Sequence, residues 1–343
     1  MQFGLHLTLS ERYSPGANMA KSLREAAYLV GLARDYGFDA IMSDEHMLAY
    51  PNQRPATIPA LSYLAAVSEG MLVGSTVLLL PLHPPVQVAE DFAALDAMTN
   101  GRAILGVGMG YREVEFSAFG INPKERVGRV YESLDLIKRL WTQEEVEFNG
   151  KYFQVPKVIP TAKPVQQPHP PIWIGVTSDA PVRRVAKNGY TWLMACGKDL
   201  KTLAMQSTIY KDTLLEHGHS LPAIRPMRTD VYLSEDSSLA WKEAEPLLTS
   251  HDGVLNQWRQ DLSSTNEAAD IGFLEYISQK NNAVGTPDEV IKKLEMCERL
   301  LGVNFMDVRL HYVGMSIEEK VRQLRLFGEG VIPHFKKRRM ENF

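Results

Sequence analysis

A single α/β barrel of the (β/α)8 TIM type, spanning residues 1–343 and carrying insertions, is the fold class this sequence predicts. Two observations carry it. Short apolar runs alternate with amphipathic runs along the chain, and the apolar runs number eight. Such alternation means parallel strands joined by right-handed crossovers, and eight repeats fit a closed cylinder better than an open sheet of similar size.

The elements follow in order. "FGLHLTL" (3–9) is a first strand; "MAKSLREAAYLVGLARDYG" (19–37) has apolar residues at helical spacing and stops at Gly37, a good C-cap. "FDAIMS" (38–43) is a buried second strand, "LVGSTVLLL" (72–80) the third, and "PVQVAEDFAALDAMTNG" (85–101) the helix after it. "RAILGVGMG" (102–110) is followed by "RVGRVYESLDLIKRLW" (126–141), and "PPIWIGV" (170–176) by "APVRRVAKNG" (180–189). "YTWLMA" (190–195) leads to a helix around 198–217; "MRTDVYL" (227–233) is seventh, and "NFMDVRL" (304–310) precedes "SIEEKVRQLRLFGEGV" (316–331). Two segments interrupt the repeat. Residues 143–170 hold a hairpin signal at Asn149-Gly150 and a proline-rich stretch. Residues 249–286 are polar and too long for a turn, a candidate lid after the seventh strand.

Composition excludes several functions. Thirty-seven basic against 41 acidic residues, net charge -4, leave no phosphate-tracking groove, so nucleic acid is not an expected partner. The only basic tract, "KKRR" at 336–339, reads as a solvated helix end. Cys196 and Cys297 stand far apart with no metal-spaced histidine nearby, so neither a disulfide framework nor a metal site is expected. They read as core residues in a reducing cytoplasm. "MQFGLHLTL" lacks a charged leader, and 18 apolar residues nowhere run together, so neither export nor a membrane is expected.

The stretch "GRAILGVGMGYREVEF" (101–116) bears on function. Gly106, Gly108 and Gly110 alternate at the end of the fourth strand, a pattern that is not G-x-G-x-x-G and does not open the first βα turn. Either the glycines let the strand end beside a bulky neighbour, or bare backbone lies against a flat ring or a sugar-phosphate chain at the face where barrels build sites.

Taken in order, "FDAIMSDEHM", "GSTVLLLPLHPPVQVAEDFAALDAMTNGRAILGVGMGYREVEFSAFG", "PHPPIWIGVTSDA" and "VGTPDEVIKKLEMCERLLGVNFMDVRL" with "SIEEKVRQLRLFGEGVIPHF" resemble the bacterial luciferase-like family of flavin-dependent monooxygenases over nearly the whole chain. That family is built on the TIM barrel. The resemblance implies that Glu45-His46 ends the second strand at the flavin, with His46 assisting chemistry at its reactive edge. Imidazole suits proton transfer as oxygen is reduced, because it titrates near neutrality. Asp44, Glu45 and His46 also suggest a metal, but adjacent side chains diverge along a strand end. The resemblance further implies a non-proline cis peptide behind the ring, placed at Thr76-Val77, and a phosphate-binding turn at "GVTSDAP", with Gly175, Thr177 and Ser178. As bare sequence that turn is equally an ordinary N-cap. Tyr111 matches a position that bonds the ribityl-phosphate chain in some members. Gly108 and Met109 stand where luciferase has a reactive cysteine and an arginine.

The implied activity is oxygenation of a small, hydrophobic organic substrate with O2 and reduced FMN supplied by a separate reductase, in a homodimer. Two alternatives stay open: a deazaflavin-dependent oxidoreductase transferring hydride, and a non-catalytic flavin-binding partner subunit. A long anionic deazaflavin tail would favour cations around 105–116, where Arg112 alone is available. His6, Thr8, Arg309 and His311 are further pocket candidates. His83 is expected to shape a loop, and His217 and His219 to end a helix. Trp258 and Phe273 either close over a substrate or anchor the insertion.

Overall fold

The computed structural model describes residues 1–195, 197–260 and 281–341. Eight strands stand parallel: β1 (Gln2–Leu7), β2 (Ala40–Ser43), β3 (Leu72–Ser75), β4 (Ala103–Gly108), β5 (Ile172–Gly175), β6 (Thr191–Leu193), β7 (Pro226–Leu233) and β8 (Phe305–Arg309). Each pairs with the next in chain order from β1 to β6, as Gly4 with Ala40, Val73 with Ala103 and Gly108 with Gly175 show. β8 lies between β7 and β1, and just after β6 Met194 forms a parallel bridge with Met227 of β7.

The longer helices are α1 (Met19–Asp35), α2 (Thr57–Ala65), α3 (Pro85–Met98), α4 (Arg126–Thr142), α5 (Asp179–Lys187), α6 (Leu200–Glu216), α7 (Ser237–Gln260), α8 (Pro287–Leu301) and α9 (Ile317–Gly330), with α10 (Ile332–Glu341) at the end, and a short helical turn at Glu113–Ala118 follows β4. Local chemistry sets their bounds. Asn18 caps α1 by accepting from the N–H groups of Ala20 and Lys21; Gly37 beyond it takes φ 84°, which only glycine adopts freely. α8 opens with a reciprocal capping box between Thr286 and Glu289. α2, to which the sequence pattern gave no bounds, is nine residues long and has no side-chain cap.

Strand side chains alternate between two environments. Phe3, Leu5, Leu7, Ile41, Val73, Leu105, Val107 and Ile174 join the helices' apolar faces, among them Val30, Phe92, Leu134, Leu294 and Phe327. Phe3 sets its ring edge-on to Phe327 at 5.2 Å and to Phe335 at 5.3 Å, seating α9 and α10 on β1. A second cluster, Ala40, Met42, Ile104, Trp173, Leu193 and Phe305, comes from the alternate face of the same strands. Further toward the carboxyl ends, that face carries His6, Arg228, Asp307 and Arg309 instead.

Two expectations need correction. The third apolar run is no continuous strand over 72–80: β3 stops at Ser75, the chain bulges at Thr76 and Val77, and Leu78–Leu79 then pairs with β4. The interruption at 249–286 is also misplaced at both ends. Its first dozen residues continue α7, whose Trp258 is buried, and Ala283–Gly285 is a strand beside β7. Polar composition there hid an amphipathic helix. Phe273 and Cys196 lie outside the described residues; Cys297 is buried and free. The other interruption contains the expected antiparallel hairpin, Val146–Asn149 with Gln154–Val158. Among the described residues no helix is long and apolar enough to cross a membrane.

Candidate active site

The carboxyl ends of β1 to β5, β7 and β8 bring a charged and apolar rim together around Thr76 and Val77. The peptide bond between these two residues is cis, as the resemblance implied. The chain fastens the bulge at nearly every polar atom. Thr76 N–H donates to Ser43 O (2.8 Å), its hydroxyl to Asp307 Oδ2 (2.7 Å), and its carbonyl accepts from Arg228 Nη1 (3.1 Å). Glu45 N–H donates to Val77 O at 3.1 Å.

The glycines belong to this bulge. A Cβ on Gly106 would lie 2.0 Å from Ser75 O, and one on Gly108 2.5 Å from Val77 Cγ2. A Cβ on Gly175 would meet Val77 Cγ1 at 3.0 Å. Of the two readings of the glycine run, close approach to the chain's own residues therefore accounts for Gly106 and Gly108. Gly110 has φ 69° and ends the run against Phe116.

His46 sits beside the bulge with its side chain 10% exposed. Its Nδ1 is 3.2 Å from Glu115 Oε1, an oxygen that also accepts from Met47 N–H (2.9 Å) and Arg112 Nη1 (3.0 Å). A carboxylate so surrounded by donors accepts from Nδ1–H, which leaves Nε2 as the nitrogen that can take up a proton. Tyr111 stands edge-on to the imidazole at 5.5 Å, and Trp258 of α7 covers it at 4.8 Å. Arg112 lies over the Trp258 ring at 4.2 Å, and Trp258 Nε1 donates to Tyr50 O at 3.0 Å. Glu45 does not share the space of His46: its Oε2 accepts from Leu79 N–H (2.8 Å) and His83 Nε2 (2.9 Å), so it holds the chain after the bulge.

On the far rim Thr177 and Ser178 are exposed, and Ser178 is the N-cap of α5 without a side-chain cap bond. Gln206 buttresses the turn by donating to Thr177 O and Asp179 Oδ1. The first turn of α5 carries no side-chain cap, an arrangement suited to an anion.

Under the rim lies a network that sequence reasoning largely missed. His6 Nδ1 is 3.1 Å from Asp307 Oδ2, and its Nε2 accepts from Arg228; since guanidinium only donates, His6 carries its proton on Nδ1. Asp44 is bonded to Arg54 and lies 3.4 Å from Arg228. Burial pushes Asp44 up, but the Arg54 and Arg228 guanidinium groups outweigh it and hold its carboxyl well below the usual range. Arg309 pairs with Asp230 at 3.0 Å and bonds His251 of α7. The period-two spacing of Arg228 with Asp230 and of Asp307 with Arg309, charges on one face of otherwise apolar strands, was the available signal. Thr8 and His311 lie apart from this network. Thr8 donates to His311 O at 2.5 Å, and His311 Nε2 donates to Lys320 O at 3.1 Å. His217 ends α6, as expected, and among the described residues no group of side chains could hold a metal.

A parallel strand rim with a backbone bulge, a covered histidine and an open helix N-terminus places the chain in a known class: it belongs to the luciferase-like monooxygenase family, whose model matches residues 1–304. Its relatives include F420-dependent dehydrogenases and flavin-dependent monooxygenases. The chain is 27% identical over 334 residues to an F420-dependent glucose-6-phosphate dehydrogenase of Nakamurella multipartita, covering 91% of this chain and 92% of that one. It is 25% identical over 362 residues to the oxygenase component of the flavin-dependent trigonelline monooxygenase of Acinetobacter baylyi, covering 99% and 97%. In fold it is similar to monooxygenase RslO1 from Streptomyces bottropensis (TM-score 0.86, 24% identity, 98% and 100% covered). It is also similar to the FMN-bound oxygenating constituent of 3,6-diketocamphane monooxygenase from Pseudomonas putida (TM-score 0.77, 19% identity, 97% and 98% covered).

Proposed function

We propose that this chain is an FMN-dependent monooxygenase on a barrel closed at the Met194–Met227 bridge, oxygenating a small organic substrate with O2 and reduced FMN delivered by a separate reductase. The observation that carries the reading is the convergence of His46, the Thr76–Val77 bulge and the uncapped first turn of α5 on one rim. When bound, FMN would supply the electrons that activate O2. The residues present fit it: Thr177, Ser178 and the α5 amides would hold the phosphate, Val77 would back the ring, and Tyr111 would border the chain between them. Glu45, Gly106, Gly108 and Gly175 give the bulge its place, Gly110 turns the chain beyond β4 toward the cofactor, His46 Nε2 moves the proton, and Trp258 keeps water from the imidazole.

FMN is favoured over F420, a deazaflavin, by Arg112. The cation that an anionic tail would need is 5% exposed and committed to Glu115, Met47 O (2.7 Å) and Leu48 O (3.2 Å). Tyr63 on α2 and Val86 and Met98 on α3 are 47%, 39% and 62% exposed, in keeping with a homodimer through these helices. The buried free thiol of Cys297 is in keeping with a cytoplasmic enzyme.

Absorbance titration of the purified protein with FMN and with F420 tests the cofactor: FMN uptake is expected, and F420 uptake without FMN would overturn the choice. With a reductase, NADH, O2 and substrate, His46→Ala should lower turnover by about a hundredfold or more while FMN uptake persists. Unchanged turnover would remove His46 from the chemistry.

A further inference from the structure

The charged half of the rim has no role in the reading above. Arg54, Arg228 and Arg309 enter it from three different elements and are only 9%, 13% and 5% exposed. A guanidinium withdrawn from water is costly unless carboxylates or several acceptors meet it. Asp44 meets Arg54, and Asp230 meets Arg309 at 3.0 Å. Among the described residues Arg228 has no carboxylate to itself. The one within reach, Asp44 at 3.4 Å, is already held by Arg54, and its other acceptors, Thr76 O and His6 Nε2, are neutral. Asp307, fully buried, is turned instead to Thr76 and His6. Among the described residues Arg228 Nε has no acceptor.

Among the described side chains of α7, the one bonded to these cations is neutral. His251 accepts at Nε2 from Arg309, and burial, then Arg309 and Arg228, hold its pKa well below the usual histidine range. Beside the Asp230 pair, Arg309 thus meets an imidazole, and Arg228 meets the neutral His6, where a carboxylate would give charge-assisted, two-pronged bonds.

The geometry points to a substrate that bears a carboxylate, gripped by Arg228 with Arg309 beside it, so that the rest of the molecule faces Val77 and His46. This rests on the rim being the active site, and it narrows the substrate from any small apolar compound to an organic acid. The fork of Arg228, tied to the bulge through Thr76 O, would fix that acid's position against the reacting edge.

The test is calorimetric binding of acetate, hexanoate, benzoate and nicotinate, each against its amide, to the full-length protein before and after FMN loading. At least one acid should bind roughly tenfold more tightly than its amide. Arg228→Gln should reduce that preference to less than about twofold, and Arg228→Lys should keep part of it. The inference is wrong if no acid outbinds its amide in the wild type, or if Arg228→Gln keeps the full preference. Should Arg228→Gln fail to fold, the wild-type pairs decide. FMN uptake without acid preference sinks this inference alone, whereas acid preference without FMN uptake sinks the flavin reading alone.

Discussion

At the scale of single residues, the site is a set of close approaches that tolerate little. Gly106 faces Ser75 O across 2.0 Å from where a Cβ would stand, and the obstacle is backbone, so nothing flexible can yield. Gly106→Ala should cost about 3 kcal/mol or more, read as a lowered denaturant midpoint; stability within 1 kcal/mol of wild type would contradict the packing described. Glu115 is wholly buried and joins His46, Met47 and Arg112 through one oxygen. Glu115→Ala strands Arg112 beside Trp258, with an expected loss of about 3 kcal/mol, whereas Glu115→Gln, which can still accept, should lose less. Glu45 and His46 were legible in the sequence as a pair. That their side chains diverge, one to His83 and one to Glu115, was not, because a strand end alternates its side chains and the partners come from distant loops.

Among elements, caps and helix ends carry the measurable consequences. Thr286→Ala breaks the reciprocal box that starts α8 and should cost about 1 kcal/mol. At α5, a carboxylate at Ser178 would occupy the field proposed for a phosphate, so Ser178→Asp should weaken FMN binding about tenfold by fluorescence titration. Binding unchanged by that substitution would place the phosphate elsewhere. Strand positions were readable because apolar alternation reports them directly. The carboxyl-terminal part of α7 was not, since its polar sequence hides an inward face on which His251 and Trp258 find their partners only once β7 and β8 are assembled.

For the molecule as a whole, histidines buried without charge set the response to acid. His311 is held down to about 3 by burial and by Lys320, against an ordinary 6.5, and His251 is held well below it. A depressed folded-state pKa gives stability that is fully present above the unfolded value and is lost as pH falls through that window. The protein should therefore lose about 1.4 kcal/mol per pH unit for each of these imidazoles below about 6.5. Denaturant melts at pH 7, 6 and 5 would show it, His311→Gln should remove about half of the slope, and equal stability at all three would refute neutral burial. The contribution of Asp44 lies lower, present above its ordinary 3.8 and lost as pH falls beneath it. By itself the sequence determined the eight parallel strands, most of their helices and the hairpin, because local periodicity and turn chemistry act over a few residues, and its motifs carried the resemblance to the family. Only the tertiary structure decided that the glycines make room for residues 75–77. It alone brought Arg54, Arg228 and Arg309 together with Asp44, Asp230 and Asp307, since side chains from separate strands and loops share a desolvated space only after those elements meet.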